Sequence, residues 1–86
     1  MAAKEEFELR VINEKGVLYY GSCSLLFLPS ARGEIAVMKH HTPMIMMLAK
    51  GTVRMQSGGG KTQDITEVDS GVVYVAEDTV SVLVNL

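Results

Sequence analysis

Apolar and polar residues alternate in several short segments of this chain. Residues 7–11 read apolar, charged, apolar, charged, apolar, and a period of two recurs in residues 23–27, 35–37 and 79–84. Side chains of a β-strand point alternately to opposite faces of a sheet. This pattern therefore predicts strands with one face on a core and the other in solvent, rather than helices with a period of 3.6.

Glycines and prolines divide the chain into pieces of strand length. Residues 13–16 and 57–61 contain glycine and predict hairpin turns, because glycine accepts the positive φ that tight turns require. Pro29 and Pro43 add two further breaks. We therefore predict an all-β fold class, with residues 1–86 forming a single β-sandwich or flattened barrel of short, mostly antiparallel strands.

Residues 44–48 form a run of five apolar residues and are the one candidate for a short helix. The run also fits a strand, and a strand without alternation predicts that both of its faces are covered. One face would pack on the core and the other on a partner. Five of the six methionines lie between Met38 and Met55. Such a cluster serves either as core filling or as an adaptable partner surface.

Composition and charge remove several classes of function. The 86 residues are 48% hydrophobic and 21% charged, which indicates one globular domain and excludes a disordered tail. A net charge of −2 offers no basic field for a nucleic acid. A single cysteine forms no internal disulfide, and no apolar stretch predicts a secretory signal or membrane insertion.

Three short motifs invite a chemical interpretation, and each has a simpler one. Gly-Lys-Thr at 60–62 resembles the end of a phosphate loop, but Met55 occupies the position of its first glycine, so a hairpin is favoured. His40 and His41 are neighbours that point to opposite faces of an extended chain, which suits a polar loop better than a metal site. Cys23 fits a small buried apolar residue. We predict no catalytic residue, no cofactor, no metal and no bound nucleotide.

Lys39 supports an alternative function. Biotin-carrier domains are β-sandwiches of similar size that present a lysine from a hairpin within Met-Lys-Met, and Met38-Lys39 matches part of that motif. His40 stands where the second methionine is expected. A biotin-carrier-like domain with Lys39 as its attachment site therefore remains the alternative.

Six segments in order resemble the N-terminal β-sandwich domain of the epsilon subunit of F-type ATP synthase. The resemblance extends from about residue 7 to residue 83. The segments that carry it are 7–19, Leu28-Pro29 followed by 33–37, His41-Thr42-Pro43-Met44-Ile45, 50–54, 70–75 and 79–83. No single segment is specific, but their order and spacing are.

The resemblance implies a non-catalytic rotor subunit of the central stalk. Such a subunit links the gamma subunit to the membrane c-ring and couples proton transport to ATP synthesis. It would lie in the bacterial cytoplasm, peripheral on the inner face of the membrane, with the plastid stroma as an alternative location. The family's C-terminal helical hairpin, which carries its ATP-responsive switch, is expected to be absent.

The resemblance also implies two contact regions. The loop expected to face the c-ring consists of Arg32, Gly33 and Glu34. The candidates for the gamma interface are His41, Pro43, Met44 and Met46. The sequence leaves open which parity of residues 44–48 faces outward.

Overall fold

The computed structural model describes residues 5–40 and 42–86, and these residues form nine β-strands and no helix. The predicted all-β fold is confirmed. The strands are β1 (Phe7–Asn13), β2 (Gly16–Cys23), β3 (Leu25–Ser30), β4 (Gly33–Val37), β5 (Met44–Leu48), β6 (Gly51–Gln56), β7 (Gln63–Val68), β8 (Gly71–Val75) and β9 (Thr79–Val84).

The strands form two sheets that pack face to face as a sandwich. Sheet A has five strands in the order β2-β1-β9-β8-β5, and sheet B has four in the order β4-β3-β6-β7. The pair β1 and β9 is parallel, and the other strand pairs are antiparallel. The first and last strands thus lie side by side in the middle of sheet A, and strand β5 forms one of its edges.

Alternation along the strands places the core between the sheets. On β9 the three valines are buried, while Ser81 and Leu83 between them are half-buried. Leu9, Leu26, Leu28 and Val53 are likewise fully buried. The valine-rich composition suits this arrangement, because β-branched side chains fit a pleated, half-buried surface.

Both predicted hairpins are present. Gly16 has a φ of 135° at the end of the β1–β2 turn, where the Asn13 side-chain oxygen accepts the Lys15 backbone N–H at 2.8 Å. Gly58 and Gly59 have φ values of 60° and 78° in the β6–β7 hairpin. A side chain at these positions would strain the backbone, so glycine determines where the chain turns.

Strands β4 and β5 belong to different sheets, so the chain passes from one layer to the other between the end of β4 and the start of β5. Past the end of β5, the Ala49 N–H donates to the carbonyl of Pro29 on β3 at 3.0 Å. This hydrogen bond ties the end of the edge strand to sheet B. Among the residues described, no helix has the length and apolar character needed to cross a membrane.

Candidate docking surfaces

The outer face of sheet A carries a row of apolar side chains across all five strands. Strand register places Val17 beside Ile12, Ile12 beside Leu83, Leu83 beside Val72, and Val72 beside Met47. We call these five residues the apolar row. Val17 and Met47, at its two ends, are 61% and 73% exposed, and the three central residues are half-buried.

A second exposed pair widens the apolar row at the β5 edge. Ile45 lies opposite Tyr74, and the two side chains are 72% and 55% exposed. Contiguous apolar surface of this kind is unusual on a soluble monomer and marks a surface for interaction. The β5 half of this sheet face is therefore the candidate for a large partner contact.

Strand β5 has a clear inner and outer parity. Leu48 is buried, and Met44 and Met46 are half-buried and pack against the core. Ile45 and Met47 point outward. The core covers the inner face of this run, and the outer face, for which the sequence predicts a covering partner, is exposed in the isolated chain. The outward residues of the run are Ile45 and Met47, rather than the candidates Met44 and Met46, which point inward.

Beside their part of the apolar row, strands β1 and β2 carry a polar cluster on this face. The Arg10 guanidinium lies 5.5 Å from the centre of the Tyr20 ring and 3.6 Å from the Glu8 carboxylate. The Tyr20 hydroxyl donates to Glu8 at 3.3 Å. Charged and apolar surface are thus separated on one sheet, which gives a docking surface a defined orientation.

The predicted ring-facing loop is a tight turn between β3 and β4. The Ser30 hydroxyl donates to the Gly33 carbonyl at 2.6 Å and accepts the Arg32 backbone N–H at 3.2 Å. Gly33 has a φ of 112°, a conformation that other residues rarely adopt. Arg32 lies exposed in this turn. The turn is therefore held by its own hydrogen bonds.

The Glu34 side chain is held by an arginine from another strand of the same sheet. Arg54 on β6 donates to the Glu34 carboxylate through Nη2 at 2.7 and 2.8 Å and through Nε at 3.1 Å. The Arg54 guanidinium also lies 4.9 Å from the centre of the Phe27 ring on β3, the strand between them. Bidentate, charge-assisted contacts of this kind fix geometry as well as charge.

Of the two remaining gamma-interface candidates, the structure describes only Pro43. Pro43 is exposed, immediately before β5. His41 lies outside the described residues. Its neighbour His40 has a φ of 69°, and its Nε2 lies 3.1 Å from a carboxylate oxygen of Glu5. Pro43 thus continues the exposed surface of β5 toward the crossover.

Lys39, the alternative attachment site for biotin, does not lie where a biotin-carrier domain presents its lysine. Lys39 lies in the crossover from sheet B to sheet A and not at the tip of a hairpin between paired strands. It is half-buried and lines a recess with Ser24, Leu25 and Met38. The structure therefore does not support a biotin-carrier-like domain.

The structure also describes the glycine-rich segment at 57–62 and Cys23. Residues 57–62 connect two antiparallel strands as a hairpin. Cys23 is fully buried, and burial raises the pKa of its thiol to about 11. Within residues 5–40 and 42–86, no three His, Cys, Asp or Glu side chains are grouped to hold a metal ion.

Sequence analysis missed two features of these surfaces. The exposed pair of Ile45 and Tyr74 depends on which strands are neighbours, and alternation within one strand does not reveal that. The second is the pairing of Arg54 with Glu34: Arg54 occupies a half-buried outward position between the buried residues Val53 and Met55 on β6. A charged residue between two apolar ones on a predicted strand was the signal that Arg54 lies on the outer face of the sheet.

Comparison with known proteins agrees with the fold. The sequence model of the ATP synthase delta/epsilon chain beta-sandwich domain matches residues 6–86. The ATP synthase epsilon chain of Psychrobacter arcticus is 32% identical over 78 residues, which are 91% of this chain and 56% of that protein. The epsilon chain of Campylobacter lari is 35% identical over 75 residues, 87% of this chain and 57% of that protein. The chain thus spans little more than half the length of these relatives.

Two solved structures share the fold. A chain of the Euglena gracilis mitochondrial ATP synthase, in a structure of its OSCP, F1 and c-ring, superposes with a TM-score of 0.84 at 17% identity, covering 92% of this chain and 50% of that one. A chain from the central stalk and c-ring of the Tetrahymena thermophila enzyme gives a TM-score of 0.73 at 12% identity, covering 96% and 66%. With the family model matching nearly every residue, this chain belongs to the ATP synthase delta/epsilon chain beta-sandwich family.

Proposed function

We propose that this chain is a non-catalytic central-stalk subunit of an F-type ATP synthase. In this role it joins the gamma subunit to the c-ring and transmits proton-driven rotation to the catalytic head. It lies in the bacterial cytoplasm, peripheral on the inner face of the membrane. Membership of the delta/epsilon family and the epsilon chains among its relatives support this assignment.

The observation that carries the proposal is the exposed apolar surface of sheet A. The apolar row, together with Ile45 and Tyr74, gives a face that extends across five strands to the edge strand β5. A chain that acted alone in water would gain from polar residues at these positions. We assign this face to the gamma subunit, with Pro43 at its border.

The turn between β3 and β4 provides the second contact. Arg32, Gly33 and Glu34 lie at this end of sheet B. The hairpin at residues 57–62 lies at the opposite end of the sheet. A sandwich of two hydrogen-bonded sheets resists shear because every internal strand is paired on both sides. We propose that this stiffness lets the domain carry torque between shaft and ring.

Co-purification tests the proposal. The full chain, carrying an affinity tag, is produced together with the gamma subunit and c-ring of the same cell. Recovery of both subunits with the tagged chain at an equimolar ratio to gamma is the expected result. Recovery of neither, from cells in which the ATP synthase is assembled, would contradict the proposal. An intact mass equal to that of the unmodified chain would also exclude attachment of biotin to Lys39.

A further inference from the structure

Strand β5 differs from the other edge strands of the sandwich. Of the four edge strands among the described residues, β2 and β5 border sheet A, and β4 and β7 border sheet B. An edge strand presents unpaired backbone N–H and C=O groups, and proteins protect such edges with charged side chains, proline or bulges. The composition and regularity of each edge therefore indicate where another strand can pair.

Three of these edges carry such protection. The register of β2 with β1 skips Leu18, and the register of β7 with β6 skips Ile65. A bulge of this kind bends the strand and disrupts pairing. Strand β7 also carries Asp64 and Glu67, and β4 carries Glu34. Addition of a further strand is therefore disfavoured at β2, β4 and β7.

Strand β5 has none of these features. Its five residues are all apolar, and they pair with β8 at five consecutive positions without a shift. Among the described residues, no backbone hydrogen bond outside that ladder involves residues 44–48. The hydrogen bond from Ala49 to Pro29 lies just past the strand and does not involve the edge itself. A regular, uncharged edge of this kind is a template for another strand.

The sequence of β5 is complementary to a second copy of itself. A two-fold axis perpendicular to the sheet keeps outward residues on one face, and full overlap of the two strands then places Met46 opposite the partner's Met46. In this register Ile45 lies opposite the partner's Met47, and Met44 lies opposite the partner's Leu48. Every cross-strand pair is apolar, so no like charges oppose each other.

The same register brings opposite charges together at both ends of the paired strands. Lys50, two residues past β5, lies opposite the partner's Thr42. In each copy, Thr42 and Glu77 line one surface recess of about 450 Å³. Both lie two residues beyond the last pair of the β5–β8 ladder. Two strand spacings, about 10 Å, therefore separate Lys50 from the partner's Glu77, and extended side chains can span that distance.

Both charges are available for these contacts. Lys50 and Glu77 are exposed, and neither forms an ion pair with a residue that the structure describes. Lys50 shares a second recess with Glu34 and Asp64. Arg54 holds the Glu34 carboxylate, so Asp64 is the competing carboxylate within the chain. The test of the register therefore has to separate Asp64 from the partner's Glu77.

We propose that two copies of this chain pair through strand β5, which joins two five-stranded sheets into one ten-stranded sheet. The inference goes beyond the proposed function, because it concerns chains that are not bound to gamma. Ile45 and Met47 also belong to the surface assigned to gamma, so pairing through β5 competes with binding of gamma. A chain that has not yet bound gamma thereby covers its apolar edge.

Sedimentation of the purified full chain tests the pairing. The average mass should rise from that of a monomer to that of a dimer as the concentration increases, because an interface of one strand from each copy is small and weak. Growth should stop at the dimer, since two-fold pairing leaves no further β5 edge. A monomer at every concentration, or growth beyond the dimer, would overturn the inference. Gamma is absent, so the outcome does not depend on the central-stalk assignment.

Exchange of the charges at Lys50 and Glu77 tests the register. Lys50→Glu and Glu77→Lys should each raise the dissociation constant of the dimer about twofold to thirtyfold, since the axis repeats each altered pair. An equimolar mixture of the two variants should recover the wild-type constant, because both pairs in the mixed dimer are again opposite in sign. A contact between Lys50 and Asp64 within one chain gives no such recovery. A mixture that remains as weak as its components would overturn the inference.

Two matched reversals control for net charge. Lys61→Glu in the β6–β7 hairpin and Glu14→Lys in the β1–β2 turn make the same changes in charge away from β5. Both residues are exposed, and both variants should dimerise as the wild type does. Losses equal to those of the variants at Lys50 and Glu77 would assign the effect to overall charge and contradict the proposed contact.

A further pair of variants separates the edge of sheet A from its face. Ile45→Lys places a charge on the edge strand, and Tyr74→Lys places a charge directly opposite, one strand inward. The two side chains are 72% and 55% exposed, so both variants should keep the melting temperature of the wild type. Ile45→Lys should remove the dimer, while Tyr74→Lys should retain it. Equal loss of the dimer in both would show that the sheets associate through their faces, and pairing through the β5 edge would be wrong.

Discussion

Ile45 on β5 and Tyr74 on β8 lie directly opposite each other in the antiparallel register, and both side chains face solvent. Cross-strand apolar pairs stabilise a sheet, but their contribution is small when water covers them. The pair extends the apolar row, which crosses the whole of sheet A. The surface proposed to contact gamma is thus built from residues far apart in sequence.

The core between the sheets should dominate stability. Leu28 is fully buried, so Leu28→Ala leaves a cavity and is expected to lower the free energy of unfolding by about 2–5 kcal/mol. Leu18, which is 40% exposed, provides the control, and Leu18→Ala should cost less than about 1 kcal/mol. Urea denaturation of both variants measures the difference. Similar losses in the two would contradict the assignment of the core.

Gly71 is needed for close approach between strands and not for an unusual backbone angle. A Cβ at this position would lie 2.5 Å from the Leu83 carbonyl oxygen and 3.2 Å from the Val84 Cα. Gly71→Ala should therefore push β8 from β9 and lower the melting temperature by many degrees. The neighbouring substitution Ser70→Ala, at an exposed residue, should leave the melting temperature nearly unchanged. A stable Gly71→Ala variant would show that the strands tolerate a wider spacing.

Cys23 should make stability depend on alkaline pH. Burial, the largest cause, raises the pKa of its thiol from 9.0 to about 11. The unfolded chain therefore loses this proton first, and between pH 9 and 11 the folded state is destabilised by up to about 1.4 kcal/mol per pH unit. The stability that the buried, protonated thiol contributes is fully present below pH 9 and is lost as the pH rises through about 11.

Denaturation of wild type and Cys23→Ala between pH 7 and 10.5 tests this dependence. The substitution should reduce the alkaline loss without abolishing it, because burial also raises the pKa of the Tyr19 hydroxyl. Identical slopes in the two proteins would contradict the role of the thiol. Native Cys23 should also resist alkylation at pH 8, whereas the unfolded chain reacts.

Local signals in the sequence predicted much of the fold. Alternation in residues 7–11 and 79–84 identifies β1 and β9, but nothing in either segment specifies their parallel pairing, because that contact joins opposite ends of the chain. The apolar run of β5 does not indicate which of its residues face the core and which face outward. Its outer residues are as apolar as its inner ones, so the usual contrast between core and solvent is missing.

The candidate site shows the same limit. The turn at residues 30–33 follows from its glycine, and the position of Glu34 beside it is local. The capture of Glu34 by Arg54 spans β3 and depends on tertiary packing. Motif spacing therefore locates the loop but does not determine which of its charges is free.

A comparison of the two faces of β5 tests the proposed contact with gamma. In one variant the outward residues are changed (Ile45→Ser with Met47→Ser), and in the other the inward residues (Met44→Ser with Met46→Ser). Melting temperature and affinity for the gamma subunit are measured for both. The outward variant should keep its fold and lose at least about tenfold in affinity, because buried apolar anchors dominate interfaces. The inward variant should lose about 1–3 kcal/mol of stability. Unchanged affinity for gamma in the folded outward variant would show that this face does not bind gamma.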